Sequence, residues 1–182
     1  FNGDGYSDEW PIEAEKRGLK NLRNTYEAAA EMNSDKNKTL FESMDVFTVE
    51  ELEARQEVMV ERFTADIGIE ADTMLQMVQT GVLPACAQDL KSFENTGIGS
   101  SRQAVYAELD QEVSNFIGVL NAMPDGSALE QAKYSQYNIR PAMDSLRAKC
   151  DAAELICDDA LWPYPKYKDM LFAHHFQSPQ FE

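Results

Sequence analysis

The longest helical pattern in the chain covers residues 48–93, which read TVEELEARQEVMVERFTADIGIEADTMLQMVQTGVLPACAQDLKSF. It opens with a capping box, Thr48-Val49-Glu50-Glu51, in which a hydroxyl and a carboxylate satisfy backbone N–H groups that lack a partner within the helix. Apolar residues recur along the stretch every three or four positions, at Leu52, Val58, Met59, Phe63, Ile67, Ala71, Met74, Leu75, Val78 and Val82. An apolar stripe of this length predicts an amphipathic helix that other segments must cover.

Glycine and proline weaken this helix at two places. Gly68 lowers helix propensity in its middle, whereas Pro84 removes a backbone N–H and crowds the carbonyl of Thr80. Unbroken, the helix would extend ~69 Å at ~1.5 Å per residue, while a compact domain of this size has a radius of gyration of only ~16 Å. We therefore predict a kink at Gly81–Pro84, with helix continuing to about Phe93.

Two further long helices follow, joined by short loops. The last begins at a second capping box, Ser127-Ala128-Leu129-Glu130, runs towards Asp159 and should kink at Pro141. No strand-like alternation competes, so the fold class is all-α, an antiparallel bundle of three long helices. The middle helix, Arg102 to about Ala122, carries Val105, Leu109, Val113, Phe116, Ile117 and Leu120. The inward positions of the last helix are Ala132, Tyr137, Ile139, Met143, Leu146, Cys150, Ala153 and Leu155.

Shorter elements are predicted at both ends of the bundle. Two prolines in Trp162-Pro163-Tyr164-Pro165 favour an extended aromatic strap, followed by a helical turn at residues 168–172. We expect one domain over 1–182, with short helices in 1–47, the bundle in 48–160, and the strap and tail in 161–182. The first short helix is expected to be capped by Ser7, to direct Trp10, Ile12 and Ala14 inward and to end at Gly18. The second is expected to cover Thr25–Met32. The third is expected to run from Ser34 to near Met44.

The chain is strongly acidic, with a formal net charge of −16. Nucleic acid and anionic membrane surfaces are excluded as partners because both require clustered lysine and arginine. The acidic stretch 42–72 has two interpretations, a solvated outer face or a docking surface for a basic partner. Its acids are Glu42, Asp45, Glu50, Glu51, Glu53, Glu57, Glu61, Asp66, Glu70 and Asp72.

The three cysteines, Cys86, Cys150 and Cys157, show no metal-binding spacing. We expect reduced, buried thiols, which indicates a cytoplasmic location. No run approaches the ~18 apolar residues of a membrane span, and no signal peptide is visible. Because the sequence begins at Phe1, we expect a C-terminal fragment of a larger protein.

No set of residues for catalysis, cofactor binding or metal binding can be assembled from the sequence. It contains no glycine-rich phosphate loop, no Ser/His/Asp set and no Cys/His arrangement. A di-iron site requires Glu-x-x-His pairs, and neither His174 nor His175 has a glutamate three residues earlier. The methionines Met59, Met74 and Met77 are interpreted as core packing and not as a peptide groove.

Five stretches in matching order resemble type III glutamine synthetases, in the region that follows the catalytic core. The resemblance covers most of the chain and is loosest from Glu94 to Leu129. The stretches are Phe1-Asn2-Gly3-Asp4-Gly5-Tyr6-Ser7-Asp8-Glu9-Trp10 with Glu13–Leu19, Ile69-Glu70-Ala71 with Thr73-Met74, Val82-Leu83-Pro84-Ala85, Arg140-Pro141-Ala142-Met143, and Leu161-Trp162-Pro163-Tyr164-Pro165-Lys166-Tyr167 with Asp169–Phe172.

The resemblance implies an ATP-dependent ligation of ammonia to glutamate, with Mg²⁺ or Mn²⁺, in an enzyme built of stacked hexameric rings. The family's catalytic motifs would lie upstream of Phe1, so none is transferred to this sequence, and its partner would be that upstream core. The helical region would then be structural or support assembly. The alternative is a stand-alone acidic helical module for protein interaction.

Overall fold

The computed structural model describes residues 3–172. No residue in this range lies in a strand, so the all-α prediction is confirmed for this part of the chain. Two π-helices, Val78–Val82 and Ser135–Ile139, each lead directly into an α-helix. The α-helices are α1 (Glu9–Lys16), α2 (Thr25–Met32), α3 (Asp35–Ser43), α4 (Val49–Met77), α5 (Leu83–Ser92), α6 (Ser100–Asn121), α7 (Ala128–Tyr134), α8 (Arg140–Glu154) and α9 (Tyr167–Phe172).

Both predicted capping boxes form. The Glu51 backbone N–H donates to the Thr48 hydroxyl at 3.2 Å, and the Thr48 N–H donates to the Glu51 carboxylate at 2.9 Å. Ser127 and Glu130 make the same reciprocal pair at the start of α7. These local hydrogen bonds fix where two of the helices begin.

The predicted irregularities at the two prolines are π-helical segments, and the helix does not end at either. Pro84 and Pro141 are each the second residue of the α-helix that follows a π-helix. The wider turn moves the preceding carbonyls away from the proline ring, which would clash with them in a regular α-helix. Gly68 lies within α4, which continues through it without interruption.

The described residues belong to two compact units. Unit 1 comprises residues 3–68 and 123–137, and its core is formed where α2, α4 and α7 meet. The Gln56 side chain donates to the Ala29 carbonyl at 2.6 Å, and the Tyr137 hydroxyl donates to Glu27 at 2.6 Å. The apolar centre of this core consists of Ala29, Val60 and Ala132, with Tyr26, Phe63, Ala128 and Leu129 packed around it.

Among the described residues, unit 2 comprises 69–122 and 138–172, and in it α6 packs along α8 and against α5. Lys149 of α8 pairs with Glu108 of α6 at 2.8 Å, and Ser145 hydrogen-bonds to Glu112 one turn further along. Along these contacts the residue numbers rise in α6 while they fall in α8, so the two helices are antiparallel, as predicted. The buried residues of these two helices are Tyr106, Leu109, Val113, Phe116, Leu146, Cys150 and Ala153.

Some predicted inward positions are wrong. The buried face of α4 includes Val60, whereas Val58 and Met59 lie outside this face and are exposed. Tyr137 is exposed within a π-helix, whose wider turn shifts the 3.6-residue period. Leu155 is 87% exposed because it follows the last residue of α8.

The N-terminal predictions are partly corrected. The Ser7 hydroxyl donates to the Asp4 carbonyl and does not cap α1, whose N-cap residue is Asp8. Ile12 is exposed, whereas Ala14 is buried. Gly18 ends the helix as predicted, with φ of 71°, a conformation that glycine adopts without steric cost.

All ten acids of the 42–72 stretch are exposed. Lys38 pairs with Glu53 at 2.7 Å and Arg62 approaches Asp66 at 3.8 Å. This exposure is what a solvated acidic face requires, and the docking-surface alternative stays a prediction. The single-domain expectation for residues 1–182 also stays a prediction.

None of the helices within residues 3–172 is both long enough and apolar enough to cross a bilayer.

Candidate functional site

A buried carboxylate lies at the centre of unit 2. Asp89 of α5 is 0% exposed and accepts hydrogen bonds from three groups. The Arg102 guanidinium and the Tyr106 hydroxyl donate to one oxygen at 2.7 Å each, and the Asp158 backbone N–H donates to the other at 3.1 Å. The carboxylate therefore joins α5, α6 and the turn after α8.

These donors control the ionisation of the cluster. Burial by itself raises the pKa of Asp89, but the hydrogen bonds from Tyr106, Arg102 and the Asp158 backbone outweigh it and hold the pKa below its usual range. The pKa of Tyr106 is raised by burial and by its hydrogen bond to Asp89. The hydrogen bond to Asp89 also raises the pKa of Arg102. The network is therefore a carboxylate ion held by a protonated guanidinium and a neutral phenol.

Arg102 extends the network towards the C-terminal strap. Its guanidinium also donates to the Ile156 carbonyl and lies 4.4 Å from the centre of the Phe93 ring. Together with the Asp158 N–H, this contact fixes the turn at residues 156–158, from which the strap at residues 161–167 departs. The cluster thus acts as an anchor for the strap.

The strap packs on the first π-helix of unit 2. The Tyr164 hydroxyl donates to the Met77 carbonyl at 3.0 Å. A Cβ atom at Gly81 would lie 2.7 Å from the Tyr164 hydroxyl and 3.2 Å from Cγ of Pro163. Only glycine at position 81 allows this close approach between the π-helix and the strap. The strap continues, as predicted, into a helical turn, α9.

Alanine substitutions at two helical glycines should distinguish the effect of this contact on stability from the effect of helix propensity. Gly118→Ala, in α6 with no atom within 4 Å of the added Cβ, is expected to stabilise the protein by about 1 kcal/mol. Gly81→Ala should lose that gain because its Cβ displaces Tyr164. Urea unfolding gives the free energies, and Trp162 fluorescence in a Trp10→Phe background reports the strap. Equal stabilisation by both variants would show that the strap contact is unimportant.

An open cleft of about 580 Å³ lies beside the strap in unit 2. Four of the five stretches that carry the resemblance contribute to its wall, through residues that include Glu70, Val82, Met143 and Trp162. Met59 and Met77 are 43% and 42% exposed, so the interpretation as core packing is wrong for these two, whereas Met74 is half-buried in the wall of the cleft. Apolar side chains dominate its inner wall, including those of Met74, Val78, Val82, Met143, Trp162 and Tyr164.

Within residues 3–172 no three histidine, cysteine or acidic side chains are grouped so that they could hold a metal ion. His174 and His175 lie outside the described residues, as does the rest of the tail from 173. The prediction that the chain carries no catalytic, cofactor-binding or metal-binding residue stays a prediction.

The three cysteines are buried free thiols, as predicted. Burial raises the pKa of Cys86 to about 12 and that of Cys150 to about 11, and it also raises the pKa of Cys157. Only the thiolate is an effective nucleophile. The folded protein therefore holds its thiols in an unreactive form.

Thiol labelling should follow unfolding. With 5,5′-dithiobis(2-nitrobenzoate) at pH 8, the folded chain is expected to react slowly, whereas in urea all three thiols should react within minutes. Ser101→Cys places a thiol at an exposed position of α6 and should add one rapidly labelled group. Rapid labelling of the unmodified folded chain would contradict the burial of these thiols.

Comparison with known proteins identifies the family. Residues 1–97 match the family described as the glutamine synthetase C-terminal domain, a match that ends close to where the resemblance becomes loosest. The type-3 glutamine synthetase of Dictyostelium discoideum is 34% identical over 94% of this chain and 26% of its own length. The glutamine synthetases of Butyrivibrio fibrisolvens and Bacteroides fragilis are 32% and 27% identical, over 95% and 94% of this chain and 27% of their own lengths.

The chain thus spans about a quarter of the length of these relatives. The resemblance to type III glutamine synthetases, first drawn from five short stretches, is confirmed by matches that cover nearly all of the chain. The chain belongs to the glutamine synthetase C-terminal domain family.

Proposed function

We propose that this chain is the C-terminal helical part of a glutamine synthetase, an enzyme that ligates ammonia to glutamate at the expense of ATP. Family membership carries the proposal, because relatives named glutamine synthetase match nearly the whole chain. Residues 3–172 contain no metal-ligand cluster, so we place ATP and Mg²⁺ or Mn²⁺ in the rest of the enzyme. No catalytic step is assigned to a residue of this chain.

The role proposed for the region itself is structural, as a single helical domain that supports assembly of a cytoplasmic homo-oligomer. Its partner would be the upstream catalytic core of the same polypeptide, and stacked hexameric rings are the assembly that the resemblance implies. Two observations support a scaffold. Each unit has its own buried core, and the polar network at Asp89 is used entirely for internal hydrogen bonds.

The reading frame and an activity assay test the enzymatic part. The gene should encode several hundred residues upstream of Phe1, including metal-binding acids. The complete protein should form glutamine from glutamate and ammonia only when ATP and Mg²⁺ or Mn²⁺ are present. A start codon immediately before Phe1 would instead favour the stand-alone interaction module.

Deletion of residues 49–160 from the complete protein tests the assembly role. The expected result is a smaller oligomer by light scattering, or an oligomer of the same size that dissociates at lower urea concentration. The unmodified protein and a Leu155→Ala variant, altered only at an exposed side chain, serve as controls. An unchanged oligomer of normal stability would eliminate the assembly role.

A further inference from the structure

The cleft in unit 2 has the dimensions of a small-molecule site. Its volume of about 580 Å³ falls within the ~300–1,000 Å³ of typical ligand pockets. Val78 and Val82 form a buried floor, and half-buried Met74, Met143 and Trp162 form part of the walls. A buried apolar floor bordered by flexible and aromatic side chains accommodates an aliphatic or aromatic body.

The side chains around this floor favour a cation over an anion. Trp162 and Tyr164 present aromatic rings, whose faces attract cations, and methionine sulfur is polarisable. Neither group favours a carboxylate or a phosphate. The chemistry of the wall therefore admits an apolar ligand with a positive end.

The charged side chains that line the cleft also favour a cation over an anion. Arg147 pairs with Asp151 at 2.8 Å, so these two charges largely neutralise each other. Two more carboxylates, Glu70 and Glu154, also line the cleft. Three acids therefore face one base, and the cleft has an excess of negative charge that complements a protonated amine.

We propose that this cleft binds an amphipathic cation, a small molecule with an aliphatic or aromatic body and a terminal ammonium group. The apolar body lies on Val78 and Val82 between Met74 and Met143. The ammonium group lies towards Glu70 and Glu154. This site is independent of the proposed ligase activity, and its test requires no glutamine synthesis.

Calorimetric titration of the 182-residue chain with three probes tests the proposal. Octylammonium, octan-1-ol and octanoate share one apolar chain and differ in the charge of the head group. Octylammonium should bind saturably, with a dissociation constant at least about tenfold below that of octanoate, which corresponds to ~1.4 kcal/mol. Octan-1-ol should lie between them. Trp162 fluorescence in a Trp10→Phe background should change with the same midpoint.

Two pairs of variants locate the site. Glu70→Gln with Glu154→Gln should weaken octylammonium binding about tenfold and leave octan-1-ol unchanged. Glu57→Gln with Glu61→Gln changes the net charge equally at residues that do not line the cleft, and should change octylammonium binding by less than about twofold. Met77→Gln should weaken all three probes, whereas Met59→Gln, at a side chain that is 43% exposed compared with 42% for Met77, should not. Circular dichroism confirms that each variant is folded.

Four results would overturn the proposal. The first is the absence of saturable octylammonium binding, and the second is octanoate binding of equal strength. The third is equal weakening by the Glu57/Glu61 and Glu70/Glu154 pairs. If sedimentation shows a dimer that Met77→Gln dissociates, the cleft is an interface between copies of this chain and the proposal is wrong.

Discussion

Replacing Asp89 with alanine is expected to lower the free energy of unfolding of unit 2 by about 3–5 kcal/mol. The substitution leaves the Arg102 guanidinium and the Tyr106 hydroxyl without their buried acceptor, and it removes the partner of the Asp158 N–H. An unpaired buried charge costs far more than a lost surface contact. Urea unfolding followed by Trp162 fluorescence in a Trp10→Phe background measures the change.

Asp159→Ala is the matched control for this substitution. Asp159 pairs with Lys166 and Lys168, but it lies at the surface, where ion pairs contribute only ~0–1 kcal/mol. A double variant, Asp89→Ala with Arg102→Met, should be less destabilised than the sum of its single variants, because neither charge then remains buried alone. Equal effects of Asp89→Ala and Asp159→Ala would show that the buried network does not stabilise unit 2.

The stabilisation by Asp89 should also depend on pH. The folded protein holds the pKa of Asp89 below its usual range, whereas in the unfolded chain the pKa is ~3.9. The contribution of the carboxylate is therefore complete above about pH 4 and is lost as the pH falls through the lower folded pKa. The stability advantage of the unmodified chain over Asp89→Asn should shrink below about pH 4 and be constant from pH 5 to 7.

The second large effect is expected at Leu146, which is 0% exposed between α8 and the rest of the unit 2 core. Leu146→Ala should lower the free energy of unfolding by about 2–5 kcal/mol, since it removes buried methyl groups and leaves a cavity. The same urea titration applies. The slope of the free energy against urea concentration should remain unchanged if the cavity alone is responsible.

Leu155→Ala makes the same chemical change nine positions later, at a side chain that is 87% exposed. Its effect should lie within about 0.5 kcal/mol of zero. Comparable losses at Leu146 and Leu155 would contradict the end of α8 at Glu154 and the exposure of the residue after it. The pair therefore tests the boundary of the helix as well as its packing.

Local signals in the sequence predicted most of the helices, because their causes act over a few residues. The Thr48 and Ser127 capping boxes each depend on a partner three positions away. Pro84 and Pro141 disturb only the preceding turn, and that is where the π-helices lie. Side-chain phase was harder to predict. The π-helix lengthens the period of the side chains, so the prediction that Tyr137 faces the core is wrong.

The Asp89 cluster was missed because its partners are distant in sequence. Arg102, Tyr106 and Asp158 lie 13, 17 and 69 residues away. A signal was nevertheless present. Asp89 continues the buried phase of Val78, Val82 and Cys86, and an acid at such a position requires buried donors. The cleft could not be foreseen, since it depends on where the strap packs.

The first π-helix has a consequence for how this domain can change in length. A π-helical turn holds about one residue more than an α-helical turn, so it absorbs the extra residue and α5 keeps the phase of the helix before it. Deleting one residue between Val78 and Val82 should therefore restore α-helical geometry, and with it the clash at Pro84, but leave Asp89 facing Arg102 and Tyr106. Deleting one residue from 86–88, within the regular α-helix of α5, should instead rotate Asp89 by about 100° away from its partners.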